Sequence, residues 1–84
     1  MNNIETFNEM AKIISEHLGV RTKEVQASVR LFDLACDSLD FMEIVLSLET
    51  KFKIELSDQV LSNVETVGDL FDVTNKEIAK KNNE

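Results

Sequence analysis

Apolar positions at the start of the chain fall at Ile4, Phe7, Ala11, Ile14 and Leu18, the spacing of one helical face. Gly19 follows where a left-handed C-cap belongs, so a first helix is expected over about residues 3–18. His17 sits in its last turn, where a cationic side chain suits the helix dipole. From 20 to 36 the apolar residues (Val20, Val25, Val29, Leu31, Phe32, Leu34) keep no sustained period. This stretch reads as a long connection pinned by its own apolar anchors. A loop beyond about 12 residues rarely lacks structure of its own, and a helical turn is expected near Thr22–Gln26.

The pattern then sharpens. Asp37 suits an N-cap, with Ser38 as first helical residue and Asp40 in the first turn. The helix should reach about Phe52, with Lys51 and Lys53 at its C-terminal end. Ser57 or Asp58 can start a short third helix covering Val60, Leu61 and Val64. Thr66 to Asp69 resembles a capping box with Asp in place of Glu. Val67, Leu70, Phe71, Thr74 and Ile78 continue at helical spacing, so a fourth helix is expected to about 79, with a frayed tail over 80–84. The expected fold is all-α: a small four-helix bundle of three longer helices and one short one, with a long first connection, forming one domain over 1–84.

The second helix carries two apolar stripes. Phe41, Ile44, Val45, Leu48 and Phe52 trace one buried face. Leu39, Met42 and Leu46 trace another, accompanied by Asp40, Glu43 and Glu49. Either the core wraps wide around this helix, or the second stripe is a docking surface. An apolar strip containing a Met and edged by carboxylates suits a transient interface, with adaptable contact at the centre and steering charge at the rim.

Composition narrows the partners. Among 84 residues, nine Lys+Arg against sixteen Asp+Glu give a formal charge of -7, which disfavours nucleic acid and anionic membrane and favours basic partners. Between Arg30 and Lys51 lie five acids (Asp33, Asp37, Asp40, Glu43, Glu49) and no base. Two Gly and no Pro agree with a helical chain. The single Cys36 excludes an intramolecular disulfide, and the opening "MNNIETF" lacks the basic and apolar regions of a secretory signal. No apolar run approaches the ~18 residues of a membrane span. A cytoplasmic monomer without membrane insertion is expected.

Catalysis finds little support in the residues. Ser38 has no adjacent base, the one histidine lies at the end of another helix, and no G-x-S-x-G is present. Asp33, Asp37 and Asp40 lack the glycine and the final glutamate of a calcium loop, and one His with one Cys makes no zinc site. Ser38 remains notable as a hydroxyl at a helix N-terminus fenced by carboxylates. It can be an ordinary first-turn serine, or the acceptor of a group installed by another protein, whose phosphate would lie near free backbone N–H groups.

The stretch "DLACDSLDFMEIVLSLETKF", Asp33 to Phe52, resembles the acyl carrier protein family, whose signature is a D-S-L core followed by an acidic and aliphatic helix. The resemblance continues through "IELSDQVLSNVETVGDL" and so covers most of the chain. It implies that Ser38 carries 4′-phosphopantetheine through a phosphodiester. A phosphopantetheinyl transferase (holo-synthase) would install it from coenzyme A with magnesium, and the thiol of the arm would hold acyl groups as thioesters. It also implies that Asp37, Leu39, Asp40, Met42, Glu43, Leu46 and Glu49 meet basic patches of fatty acid synthesis and acyltransferase enzymes. Ile44, Val45, Leu48 and Phe52 match positions lining the cavity that shelters the acyl chain.

Four positions depart from the family pattern. Ala35-Cys36 replaces the usual Gly-Ala, which makes the turn less permissive and sets a thiol beside Ser38. Phe41 replaces a smaller residue and, pointing inward, would narrow the acyl cavity. Ser57 stands where a proline is frequent. The expected function is a non-catalytic carrier for type II fatty acid or lipid synthesis. The alternatives are a carrier for a dedicated polyketide, peptidyl or D-alanyl pathway, and a helical adaptor that never carries a thioester.

Overall fold

The computed structural model describes residues 2–82 and contains four α-helices: α1 (Asn3–Leu18), α2 (Ser38–Phe52), α3 (Asp58–Leu61) and α4 (Val67–Asn82). Among the described residues the only extended pairing is one antiparallel bridge, Arg30 with Thr66. The all-α bundle with one short helix is the architecture expected from the pattern.

Local side chains fix both ends of α1. Asn2 Oδ1 accepts from the Glu5 N–H at 2.8 Å, and Gly19 closes the helix at φ 69, its N–H donating to the Ser15 carbonyl. The buried face differs from the expected one. Thr6, Met10, Ala11, Ile14 and Ser15 point inward, while Ile4 is 73% exposed. The cause is tertiary: Phe7 takes the edge of the face, where its ring meets Phe71 of α4 edge-on at 5.5 Å, and Met10 fills the centre.

The first connection is ordered in two 3₁₀ turns. One, Thr22–Glu24, lies where a turn was expected, and the other, Leu31–Leu34, has no signal in the periodicity. Val25 and Leu31 anchor the segment in the core. Its second half is laced to the start of α4: Leu31 N–H donates to the Glu65 carbonyl, Val67 N–H to that of Val29, and Gly68 N–H to that of Ala27. These bonds satisfy backbone groups that a buried loop would otherwise leave unpaired. A Cβ on Gly68 would stand 3.0 Å from the Ala27 carbonyl oxygen, a crowded contact that glycine avoids.

The short helix ends at Leu61, before Val64, which lies beyond it and still packs on the core. Ser57 is its N-cap, accepting from the Val60 N–H. Thr66 and Asp69 form the expected box at the head of α4: Asp69 Oδ2 accepts from the Glu65 and Thr66 N–H groups, and Thr66 Oγ1 accepts from the Asp69 N–H, all at 3.0 Å. The backbone donors of Thr66 and Glu65 hold the Asp69 carboxyl below the usual carboxylate range. Helix α4 runs to Asn82, past the expected end at 79, with Lys80 and Lys81 favourable in its last turn. Lys81 Nζ also donates to the carbonyl of Phe52, tying the C-terminal ends of α2 and α4. The expected fray over 80–82 is therefore replaced by helix, and 83–84 lie outside the described residues.

The core sits among α1, α2 and α4, with Met10, Ile14, Ile44, Leu48, Val67 and Leu70 fully enclosed. Ile54 and Leu56, in the segment between α2 and α3, are also buried in it.

Candidate functional site

Helix α2 starts on a reciprocal cap. Asp37 Oδ1 accepts from the Asp40 N–H at 2.8 Å, and Asp40 Oδ2 accepts from the Asp37 N–H at 3.3 Å. Ser38, exposed, is the first helical residue. The N–H groups of Ser38 and Leu39, in the same turn, take no part in that cap and lie at the positive end of the helix dipole. Ahead of the cap, Ala35 holds φ 60, a left-handed conformation that costs an L-residue about 1–2 kcal/mol. The turn that delivers Ser38 is thus made by alanine where glycine would be unstrained.

Ser38 borders a cleft of about 430 Å³ whose apolar wall includes Leu31, Phe32, Phe41, Met42 and Val64. Arg30 supplies a cation to the same cleft, which Asp37 and Glu65 also line. Cys36 is half-buried there, its thiol directed at the Asp37 carbonyl. Burial pushes that thiol upward in pKa, reinforced by the carboxylates of Asp40 and Asp37. An exposed hydroxyl and the N–H groups of Ser38 and Leu39, beside a cleft with an apolar wall and one cation, fit a phosphate-linked arm.

The two stripes of α2 separate in space. Ile44, Val45 and Leu48 are buried, and Phe41 and Phe52 are half-buried against the core. Leu39, Met42 and Leu46 remain 66%, 63% and 59% exposed, so the core does not wrap around to cover them. Asp37 and Glu43 are exposed beside them, while Asp40 and Glu49 are half-buried. Glu49 does more than line a rim, because its Oε2 accepts from the Leu56 N–H at 2.9 Å and so fixes the segment leading to α3. Of the five residues of the inner stripe, Phe41 and Val45 line a second cleft of about 300 Å³ between α2 and α3, Ile44 and Leu48 are enclosed in the core, and Phe52 lies at the far end of the helix. Phe32, expected among the apolar anchors of the first connection, is instead 74% exposed beside the Ser38 cleft, where it extends the apolar surface.

A second cluster escaped sequence reasoning because its members are far apart in the chain. His17 Nε2 lies 3.0 Å from Ser47 Oγ, and His17 Nδ1 lies 3.7 Å from Glu43 Oε2. The order imitates a catalytic triad. Ser47, however, sits inside α2, where backbone N–H groups are committed to the helix and offer no oxyanion hole. With Lys51 Nζ 3.5 Å from Glu9 Oε2, the cluster clasps α1 to α2.

Comparison with known proteins agrees with this geometry. The model of the phosphopantetheine attachment site family matches residues 8–73. The acyl carrier protein of Thermotoga maritima is 36% identical over 75 residues, covering 88% of this chain and 93% of that one. Among solved structures, holo acyl carrier protein from Geobacter metallireducens superposes with a TM-score of 0.83 at 28% identity, covering 94% of this chain and 92% of that one. The acyl carrier protein of Enterococcus faecalis gives 0.76 at 36% identity, over 92% and 99%. A D-S-L serine at the head of an acidic helix, in a bundle matched along nearly its whole length, thus places the chain in the acyl carrier protein family, whose members bear a phosphopantetheine attachment site.

Proposed function

We propose that Ser38 Oγ is the attachment point of 4′-phosphopantetheine and that the chain carries acyl intermediates for type II fatty acid or lipid synthesis in the cytoplasm, as a monomer without catalysis of its own. The observation that carries this reading is the exposed Ser38 hydroxyl at the junction of an apolar cleft and the acidic, apolar face of α2. When bound, the group supplies a terminal thiol that holds acyl chains as thioesters. The protein's own residues position and present it. The N–H groups of Ser38 and Leu39 and the helix dipole favour the negative phosphate, offsetting Asp37 and Asp40.

Asp37, Asp40, Glu43 and Glu49 steer basic patches of partner enzymes, and Leu39, Met42 and Leu46 make the desolvated contact. Those partners are a phosphopantetheinyl transferase, which uses coenzyme A and magnesium, and the fatty acid synthesis and acyltransferase enzymes. Phe41, Ile44, Val45, Leu48 and Phe52 face the apolar interior available to an acyl chain. Among the described residues no helix is long and apolar enough to cross a membrane.

The test is to offer the loaded protein to dissociated fatty acid synthesis enzymes. Acyl groups should be extended on wild type and not on Ser38→Ala, and Glu43→Lys should raise KM more than it lowers kcat. Acceptance only by polyketide, peptidyl or D-alanyl loading enzymes moves the chain to a dedicated pathway. Cells in which Ser38→Ala retains function would show an adaptor instead.

A further inference from the structure

The apolar space within reach of Ser38 is divided in two. The cleft beside it, about 430 Å³, runs along Leu31, Phe32 and Val64. The other, about 300 Å³, lies between α2 and α3 against Val45, Leu56 and Leu61. Phe41 and Met42 line both. Met42 is 63% exposed and unbranched, so it can swing aside. Phe41 is half-buried and packed against the core, and its flat ring cannot bend. Phe41 therefore stands as the rigid part of the partition.

We infer that Phe41 sets the length of acyl chain that this protein shelters: short chains are enclosed, and the distal carbons of longer ones stay in water. The inference rests on Ser38 being the attachment point. A dry apolar cavity of about 150 Å³ takes one six-carbon ring, so the space of about 300 Å³ between α2 and α3 has room for on the order of twelve carbons. Removing the ring joins it to the larger cleft. Because each methylene taken out of water shifts the sheltered-to-exposed ratio about fourfold, the limit should be sharp in a chain-length series.

The experiment loads wild type, Phe41→Ala and Phe41→Leu with acyl-phosphopantetheine directly from coenzyme A thioesters of about four to about sixteen carbons. Intact mass confirms loading, and the rate of thioester cleavage by hydroxylamine reads exposure. In wild type, protection should climb about fourfold per methylene to roughly twelve carbons and then level off. In the variants the climb should continue to longer chains. Phe41→Leu keeps the site filled enough to fold if Phe41→Ala does not.

Protection that rises in wild type to the longest chain overturns the inference, as does a plateau at the same length in a variant that still melts cooperatively. Loaded protein with no protection at any length overturns the inference alone and leaves the attachment reading standing. No loading of wild type, where a control carrier loads, overturns the attachment reading and this inference with it.

Discussion

Thr74 gives a prediction whose sign runs against the usual cost of a core mutation. On α4, Val67, Leu70 and Thr74 form the inward face, and Thr74 is fully enclosed with its Oγ1 lacking any hydrogen-bond partner. A buried hydroxyl without a partner costs about 1–3 kcal/mol relative to a satisfied one. Thr74→Val keeps the branched shape and removes the orphaned oxygen, so it should stabilise the fold by about 1 kcal/mol after imperfect repacking. For a chain of this size that is a rise in Tm of about 4–8 °C, easily read by calorimetry, with urea unfolding giving a higher midpoint at unchanged m-value. Thr74→Ser is the control, since it keeps the hydroxyl and loses a buried methyl worth about 1 kcal/mol. If Thr74→Val lowered Tm by several degrees while Thr74→Ser was neutral, the hydroxyl would have a partner in solution and the accounting of this core would be wrong.

Three further outcomes follow from named contacts. Asp69 has a lowered carboxyl pKa in the fold, so its contribution is complete above the ordinary carboxylate value and is lost as pH falls through the lowered one; Asp69→Asn should reduce stability at neutral pH and flatten the acid limb of a stability-against-pH curve. An acid limb identical in wild type and variant would remove this role. The raised Cys36 thiol should alkylate more slowly at mildly alkaline pH than the exposed thiol of the attached arm, and Asp40→Asn should speed it, as resolved by mass; equal rates for both thiols would contradict the burial assigned to Cys36. Gly68→Ala should lower stability by about 1 kcal/mol, because crowding of the Ala27 carbonyl outweighs a helix-propensity gain of similar size; a higher Tm would mean that the connection yields freely.

Helix α2, its cap and the box at Thr66 and Asp69 were legible in the sequence because their signals are local. A side chain meets a backbone N–H three residues away, and the two stripes follow from a 3.6-residue repeat. The register of α1 was not legible. Faces centred on Ile4–Phe7 and on Thr6–Met10 are both plausible from spacing, and the choice belongs to what α2 and α4 present. The left-handed residues Ala35 and Lys53 carry no compositional mark, since glycine or asparagine would be the usual sign. The lacing of 27–31 to 65–68, the hold of Glu49 on Leu56 and the His17–Ser47 clasp are non-local, and one-dimensional pattern gives no access to them. The place of Ser38 at the head of α2 and the two stripes of that helix were readable, whereas the contributions of Arg30 and Phe32 to the cleft and the meeting of two clefts at Phe41 needed three dimensions.

The central claim is that the first residue of α2 bears the arm. The most direct measurement is intact and tandem mass spectrometry of wild type and Ser38→Ala after incubation with coenzyme A, magnesium and a broad-specificity phosphopantetheinyl transferase. The account predicts a gain of one phosphopantetheine on wild type, localised to Ser38, and none on the variant. A gain on Ser38→Ala, or none on wild type alongside a control carrier that loads, would contradict it.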